Sequence, residues 1–232
     1  MRRLRPCILA RCGLILLLAG SCLLHAQVQS VRPGVNRHYE NPDWQQWVAR
    51  FERPDREIYR QRQAIVEATG ARPGMSVADI GAGTGLFTRL FAQRVSPGGR
   101  VYAVDISRTF IENILRTCSE QGLTNVDGIV NTARDVQLPA TSIDLAFLSD
   151  TYHHFEYPQD MLASIRRALR HGGRLVVIDF RRRADISSPW VMGHVRANRE
   201  TVIREIEAAG FRFSGEQPLL RSNYFLVFET LE

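Results

Sequence analysis

Val77-Ala78-Asp79-Ile80-Gly81-Ala82-Gly83-Thr84-Gly85 is the stretch of this 232-residue chain that decides its fold. Three glycines at alternate positions follow a short apolar run, and an amphipathic run begins at Leu86. This pattern is typical of a strand that turns sharply into a helix, with glycines that let the backbone approach a ligand closely. The stretch therefore predicts a strand, a glycine-rich turn and a helix in succession.

Short β-branched runs alternate with longer amphipathic runs after this turn, which is typical of βαβ units and a parallel sheet. The predicted strands are Ser76 to Ile80, Val101 to Asp105, Asp127 to Val130, Ile143 to Leu148, Arg174 to Asp179, Phe211 to Glu216 and Tyr224 to Glu229. Only seven residues, including Pro218, connect the last two strands, so these two should pair antiparallel. We predict an α/β, Rossmann-like fold: a seven-stranded mixed sheet with helices on both faces and an antiparallel last pair.

Three regions follow one another along the chain. Residues 1–26 contain an arginine-rich start, an apolar run and small residues near the end, which is typical of a signal peptide or an N-terminal membrane anchor. Cleavage after Ala26 and lipoprotein processing before Cys22 both remain open. Residues 27–55 are predicted to form an irregular N-terminal arm, and residues 56–232 the main domain. We expect an exported or membrane-tethered protein of the periplasm or inner membrane, with a location on the cytoplasmic face as the alternative.

The composition excludes several classes of function. All 30 basic residues are arginine, which rules out a lysine nucleophile or a lysine Schiff base. Without residues 1–26 the formal charge falls from +6 to +2, so electrostatics give no reason to expect a nucleic-acid partner. Outside that segment Cys118 is the only cysteine, so we expect neither a disulfide framework nor a cysteine metal site.

Two carboxylates indicate what kind of ligand the turn binds. Asp105 ends the second strand, twenty residues after Gly85, where a carboxylate accepts both hydroxyls of an adenosine ribose. Asp79 lies just before the turn, where it repels phosphate and favours a positively charged ligand. Leu86 occupies the place of the third glycine in the dinucleotide fingerprint. These features favour an adenosyl ligand without phosphate, although an NAD(P)-dependent oxidoreductase stays open as an alternative.

Four segments resemble one enzyme family. Val77 to Gly85 resembles motif I of the class I S-adenosylmethionine-dependent methyltransferases, and Val101 to Ser107 resembles their following acidic-strand motif. Leu138 to Ala146 resembles the family's approach to strand four. Leu169 to Leu175 resembles its L-x-P-G-G loop, with His171 in place of proline. The resemblance covers about residues 56–229 and is closest to the small-molecule branch typified by the ubiquinone and menaquinone methyltransferases.

The resemblance implies S-adenosylmethionine as the cofactor and a small molecule as the methyl acceptor. It implies that the turn from Gly81 to Gly85, with Ala82, Gly83 and Thr84 between them, lines the cofactor. Asp79 would face its amino-acid end, Asp105 its ribose and Ile106 its adenine. The family often places an acid near the adenine after strand three, and Asp135 is the nearest candidate. A non-catalytic module that binds S-adenosylmethionine is a further alternative.

The segment Leu148 to Phe155 leaves the fourth strand at the same crevice. Asp150 and Tyr152 are candidates for contact with the cofactor there. His154, His153 and Asp150 are the candidate catalytic residues, because a histidine there is able to take a proton from a nucleophilic oxygen or nitrogen. The alternative is that the histidines serve packing or capping. We expect no metal site, because His153 and His154 are adjacent and the pattern does not establish either candidate third ligand, His194 or Asp150.

Aromatic residues occur on both sides of this central region. Tyr39, Trp44 and Trp47 lie in the arm, and Trp190 precedes His194 near the last helix. Two roles remain open for them: a lid that closes over the substrate, or a seal between the arm and the body of the domain.

Overall fold

The computed structural model describes residues 29–231. The predicted leader at residues 1–26, with its alternative cleavage points, lies outside the described residues. Within residues 29–231 we find no helix that combines the length and the apolar character needed to cross a bilayer.

A single mixed sheet of seven strands forms the centre of the fold, as predicted. The strands are β1 (Ser76–Ile80), β2 (Arg100–Asp105), β3 (Val126–Val130), β4 (Ile143–Ser149), β5 (Leu169–Phe180), β6 (Phe211–Glu216) and β7 (Asn223–Thr230). Their order across the sheet is β3-β2-β1-β4-β5-β7-β6. The first five strands run parallel, and β7 is antiparallel to both β5 and β6, which confirms the predicted last pair.

Helices cover both faces of the sheet. They are α1 (Trp44–Phe51), α2 (Glu57–Arg60), α3 (Arg62–Ala68), α4 (Leu86–Val95), α5 (Arg108–Glu120), α6 (Pro158–Ala168), α7 (Pro189–His194) and α8 (Arg199–Ala208). Successive residues of β1 show how the core divides: Val77 packs with Phe91 of α4, and Ala78 belongs to the cluster that contains Ile165 of α6. This alternation follows from the two-residue period of a strand.

Several boundaries differ from those that the sequence pattern predicts. The apolar spacing from Arg56 to Thr69 predicts one helix, but it is interrupted at Gln61 and forms α2 and α3. A helix predicted from Pro158 to Arg170 ends at Ala168, and β5 begins at Leu169 and not at the predicted Arg174. The last helix, predicted from Ala197, begins at Arg199, where the Asn198 side chain accepts a hydrogen bond from the Thr201 amide and caps it.

The strand order also determines where a ligand binds. From β1 the chain continues outward to β2 and β3, and then returns to β4 on the other side of β1. Loops that leave β1 and β4 therefore diverge at their carboxyl ends and open a crevice between them. The glycine-rich turn follows β1, and the segment with Asp150 and the two histidines follows β4.

Candidate functional site

A cavity of about 850 Å³ opens at the carboxyl ends of β1, β2 and β4. Most of the residues predicted for the site line it: Asp79, Gly81, Ala82, Gly83, Thr84, Asp105, Ile106, Asp150, His153 and His154. Gly85, Asp135 and Tyr152 do not line it. The structure therefore brings ten of the thirteen predicted residues together around this cavity. The side chains or backbone of the other three do not line it.

The glycine-rich turn is held by backbone hydrogen bonds to β2. The amides of Gly81 and Ala82 both donate to the carbonyl of Val104, at 2.8 and 3.1 Å. Gly81 has a φ of +70°, and a Cβ there would lie 2.2 Å from the Thr151 side chain. A residue with a side chain is therefore excluded by conformation and by space. Gly85 begins α4 in the left-handed conformation but packs away from the cavity.

Asp105 links the second strand to the turn. Its Oδ2 accepts a hydrogen bond from the Gly83 amide at 2.9 Å, and its Oδ1 accepts one from the Ser107 amide at 2.8 Å. Each oxygen keeps a free lone pair for a ligand hydroxyl. Burial raises the pKa of the carboxyl to about 6, against the lowering effect of the amides.

Asp79 is the more deeply buried of the two carboxylates, with 3% of its surface exposed. Its Oδ2 accepts a hydrogen bond from the Thr88 hydroxyl at 2.6 Å. Burial, with a smaller effect from the charge of Asp105, raises the pKa of Asp79 to about 7. Within residues 29–231 neither Asp79 nor Asp105 forms an ion pair, so a cationic ligand would stabilise the ionised form of both.

Asp150 is already engaged by the protein. Its Oδ2 accepts from Arg56 Nη2 and its Oδ1 from Asn223 Nδ2, both at 2.6 Å. Burial raises the pKa of Asp150 to about 6 although Arg56 opposes the change. The residue also has a φ of +53°, which is unusual for a residue with a side chain. Sequence reasoning missed Arg56 and Asn223, since neither belongs to a recognisable motif.

Tyr152 and Asp135 lie away from the cavity. Tyr152 is fully buried, and its hydroxyl donates to Glu205 Oε2 at 2.7 Å. Asp135 accepts a hydrogen bond from Arg167 Nη2 at 2.8 Å. The cavity wall after β3 is formed instead by residues 131–133. The motif spacing placed Tyr152 in the right loop, but it did not show that the ring turns into the core.

Three histidines meet at the other end of the cavity, beyond β4. His153 donates its amide to Asp179 Oδ2 at 3.0 Å, and its ring Nδ1 lies 2.8 Å from Asp179 Oδ1. His194, at the end of α7, stacks on Trp190 with ring centroids 4.4 Å apart. Burial, followed by the nearby positive charges, lowers the pKa of His154 to about 2 and that of His194 to about 4. Both rings are therefore neutral at pH 7, and His154 is poorly suited to hold a proton.

The N-terminal arm forms one wall of the cavity. Asn36 Nδ2 donates to the carbonyl of His154 at 3.1 Å, and the Tyr39 ring stands edge-on to the His154 ring at 5.1 Å. Glu52 accepts hydrogen bonds from Arg89 on both of its oxygens, at 2.9 and 2.8 Å. These contacts attach the arm to the loop after β4 and to α4. The contacts agree with a seal between the arm and the body of the domain. Tyr39 and Trp47 of the arm also line the cavity, at the position that a lid over the substrate would occupy.

Comparison with known proteins points to one kind of domain. Residues 78–177 match a family model described as a methyltransferase domain. A ubiquinone/menaquinone biosynthesis C-methyltransferase of Hydrogenovibrio crunogenus is 32% identical over 120 residues, which are 51% of this chain and 47% of the relative. The chain thus spans about half the length of the curated relatives that it matches.

Solved structures share the fold. A S-adenosylmethionine-dependent methyltransferase from Aquifex aeolicus superposes with a TM-score of 0.73 at 21% identity, over 82% of this chain and all of that one. A structure described as a possible exported protein from Bordetella parapertussis superposes with a TM-score of 0.59 at 15% identity, over 75% of this chain and 68% of that one. At these identities the likeness establishes the architecture.

Proposed function

We propose that this chain, whose residues 78–177 match a methyltransferase-domain model, is a class I S-adenosylmethionine-dependent methyltransferase that transfers a methyl group to a small molecule bound in its cavity. The observation that carries the proposal is the pair of buried carboxylates, Asp79 and Asp105, on either side of the glycine-rich turn. Neither forms an ion pair within residues 29–231, and both have a pKa raised by burial.

The two carboxylates fit the two ends of an adenosyl amino acid. Asp79 would hold the ammonium group of the amino-acid end, because a cation there offsets the cost of burying its charge. Asp105 would accept the ribose hydroxyls, since the Gly83 and Ser107 amides already fix its orientation. Ile106, which is 39% exposed beside the cavity, offers an apolar surface to the adenine.

Catalysis by this site depends on how the protein aligns the methyl donor with the acceptor. When bound, S-adenosylmethionine supplies a methyl group that is already activated by its sulfonium. The protein therefore has to hold the acceptor in line with that group and keep water away. Tyr39, Trp47 and Phe51 of the arm, with Phe110 of α5, form an apolar wall that serves both purposes.

The dinucleotide alternative is not favoured. A pyrophosphate at the turn would lie close to the buried Asp79, and the cost of that repulsion is high where water is excluded. In the described part of the chain no arginine forms a hydrogen bond or ion pair with Asp79 that would reduce this repulsion. The family match points the same way.

Calorimetry on the purified chain tests the donor half of the proposal. We expect S-adenosylhomocysteine to bind and NAD⁺ to show no heat of binding. Asp105→Ala should abolish the binding, whereas Asp127→Ala, which removes an exposed carboxylate from the neighbouring strand β3, should leave it intact. Binding of NAD⁺ in preference to S-adenosylhomocysteine would overturn the proposal. Labelled-methyl transfer to small molecules from a cell extract then tests catalysis, and a binder that never transfers the label would be a non-catalytic module.

The location of the chain is a separate part of the proposal. The pattern of residues 1–26 supports export or membrane tethering, and the Bordetella parapertussis neighbour is itself described as a possible exported protein. Cell fractionation with a C-terminal tag should find the chain with membranes or in the periplasm. Protease added to spheroplasts distinguishes an outward-facing domain from one held on the cytoplasmic face. Recovery of the intact chain in the cytosolic fraction alone would contradict tethering.

A further inference from the structure

The three histidines at the acceptor end of the cavity form a compact cluster. One nitrogen of each of His153, His154 and His194 lies within 4.8 Å of the corresponding atoms of the other two. Ring centroids are 4.2 Å apart for His153 and His154, and 5.0 and 5.2 Å from these two rings to that of His194. The third ring comes from α7, forty residues further along the chain, so adjacency in sequence does not explain the cluster.

Asp179 orients the first of these rings. Because the carboxylate takes the Nδ1 side of His153 at 2.8 Å, a proton on Nδ1 leaves the lone pair of Nε2 free. The same carboxylate also accepts the His153 amide, which fixes the ring relative to the end of β5. A carboxylate behind a histidine in this way is the usual support of a metal-binding imidazole.

His154 provides a second, independent observation. Its Nδ1 is buried and has no hydrogen-bond partner within the described residues. Buried nitrogen atoms of this kind are rare because water is lost without replacement. The ring is held in place by Tyr39 at its edge and by the hydrogen bond from Asn36 to its carbonyl. A bound cation is a partner that accounts for such an atom.

We propose that His153, His154 and His194 bind one divalent transition-metal ion, with Zn²⁺ the best match to a set of three imidazoles. Tetrahedral Zn²⁺ with bonds of about 2.0–2.1 Å places its nitrogen ligands about 3.3 Å apart. The nitrogens therefore have to approach by at most about 1.5 Å, mainly through His194 on the six-residue helix α7. Asp179 supplies a negative charge directly behind the site.

The fourth position of this metal would face the cavity, because all three histidines line it. This step rests on the proposed function and narrows its substrate class. An acceptor with an ionisable hydroxyl, such as a phenol or an enol, would coordinate through its oxygen and release the proton to water. No electron is exchanged, and the oxyanion that forms is the more electron-rich nucleophile for the methyl group.

Metal binding by the full chain, produced without a histidine tag and stripped with a chelator, tests the site directly. We expect calorimetry with ZnCl₂ to give one tight site per chain. Co²⁺ should give the visible absorption of a tetrahedral site without the thiolate charge-transfer band that a cysteine ligand would produce. His194→Ala and His154→Ala should lose this site. Asp179→Asn should weaken it by about 10–100-fold, since Asp179 acts through His153.

His171→Ala is the matched control, because His171 lies outside the cavity and borders a different surface. Its metal binding should equal that of the unmodified chain. The proposal is overturned if the unmodified chain binds no stoichiometric Zn²⁺ or Co²⁺, or if His194→Ala binds as tightly as His171→Ala. A cooperative denaturant-unfolding transition in each variant shows that it is folded. S-adenosylhomocysteine binding in the same samples separates the metal site from the proposed donor, since ligand binding without metal refutes only the metal site, and metal binding without ligand refutes only the proposed donor.

Discussion

Asp79→Asn should make the empty protein more stable and the ligand complex weaker. The variant keeps the shape of the side chain, and its amide oxygen still accepts the Thr88 hydroxyl that Asp79 accepts at 2.6 Å. What it removes is a buried charge that forms no ion pair within residues 29–231 and that the nearby charge of Arg89 offsets only in part. A side chain kept for stability would show the opposite result, because its removal would destabilise the fold.

The size of the stability gain follows from the pKa. The pKa of Asp79 rises from the usual 3.8 to about 7 on folding, because burial disfavours the charged form. A raised pKa in an acid means that the folded state binds the proton more tightly, so the penalty is absent below pH 3.8, grows between 3.8 and 7, and is complete above 7. At about 1.4 kcal/mol for each pH unit, the upper limit is about 4 kcal/mol at pH 8 and about half of that at pH 5.5.

The assay is denaturant unfolding of the ligand-free chain at pH 8 and pH 5.5, together with calorimetry of S-adenosylhomocysteine. Asp79→Asn should unfold at a higher denaturant concentration at pH 8, with the difference shrinking at pH 5.5. Its affinity for the ligand should be about 10–100-fold lower at pH 8, since a hydrogen bond to a charged group is lost. For the unmodified chain, protonation of Asp79 should weaken binding by about 30-fold between pH 8 and pH 5.5.

Asp135→Asn is the control, because Asp135 is a partly exposed residue paired with Arg167 outside the cavity. It should change ligand affinity very little, and stability by at most about 1 kcal/mol. Two results would refute this role of Asp79: a variant less stable than the unmodified chain at pH 8, or a variant that binds the ligand equally well. Either result would mean that Asp79 is not a destabilising buried charge that binds a positively charged group of the ligand.

Two further predictions concern the glycine-rich turn and the ion pair between Arg56 and Asp150. Gly81→Ala should abolish S-adenosylhomocysteine binding in calorimetry because of the 2.2 Å clash, whereas Gly74→Ala, at a similar positive φ but with open space around it, should bind normally at some cost in stability. Arg56→Gln should lower the free energy of unfolding by about 1–3 kcal/mol at pH 8, because it leaves the buried Asp150 without its cation. Arg116→Gln, from an exposed pair on α5, should change it by at most about 0.5 kcal/mol. Equal effects of the two arginine variants would contradict the role given to the Asp150 pair.

The sequence predicted the sheet well because local patterns specify it. Most strands contain a short apolar run bounded by turn residues, and the glycine-rich turn requires a strand before it and a helix after it. The start of β5 at Leu169 was missed, because Arg170 to Arg174 carry no apolar pattern. The helix between Arg56 and Thr69 was predicted less well, since its apolar spacing does not show the interruption at Gln61. Asp79 and Asp105 were found for the same reason as the strands: both lie at strand ends with a fixed offset from the turn.

The rest of the site depends on contacts between distant parts of the chain. Asp150 was identified, but its partners Arg56 and Asn223 lie 94 and 73 residues away in sequence. Asp179 could have been considered, because it lies near the carboxyl end of β5, next to the strand that precedes His153. His194 was a candidate third ligand because it follows a loop expected over the crevice, but the sequence did not specify how closely its ring approaches His153.

The donor end and the acceptor end of the cavity differ in whether their residues lie within the segment that matches known methyltransferases. Asp79, Gly81 and Asp105, which would hold the donor, all lie within the matched segment of residues 78–177. Tyr39, Trp47, Trp190 and His194, which face the space left for the acceptor, all lie outside it. A family that keeps one cofactor and changes its substrates would retain the first set of residues and vary the second. The acceptor of this chain should accordingly be sought with the arm and α7 present, since both lie outside the matched segment and line the cavity.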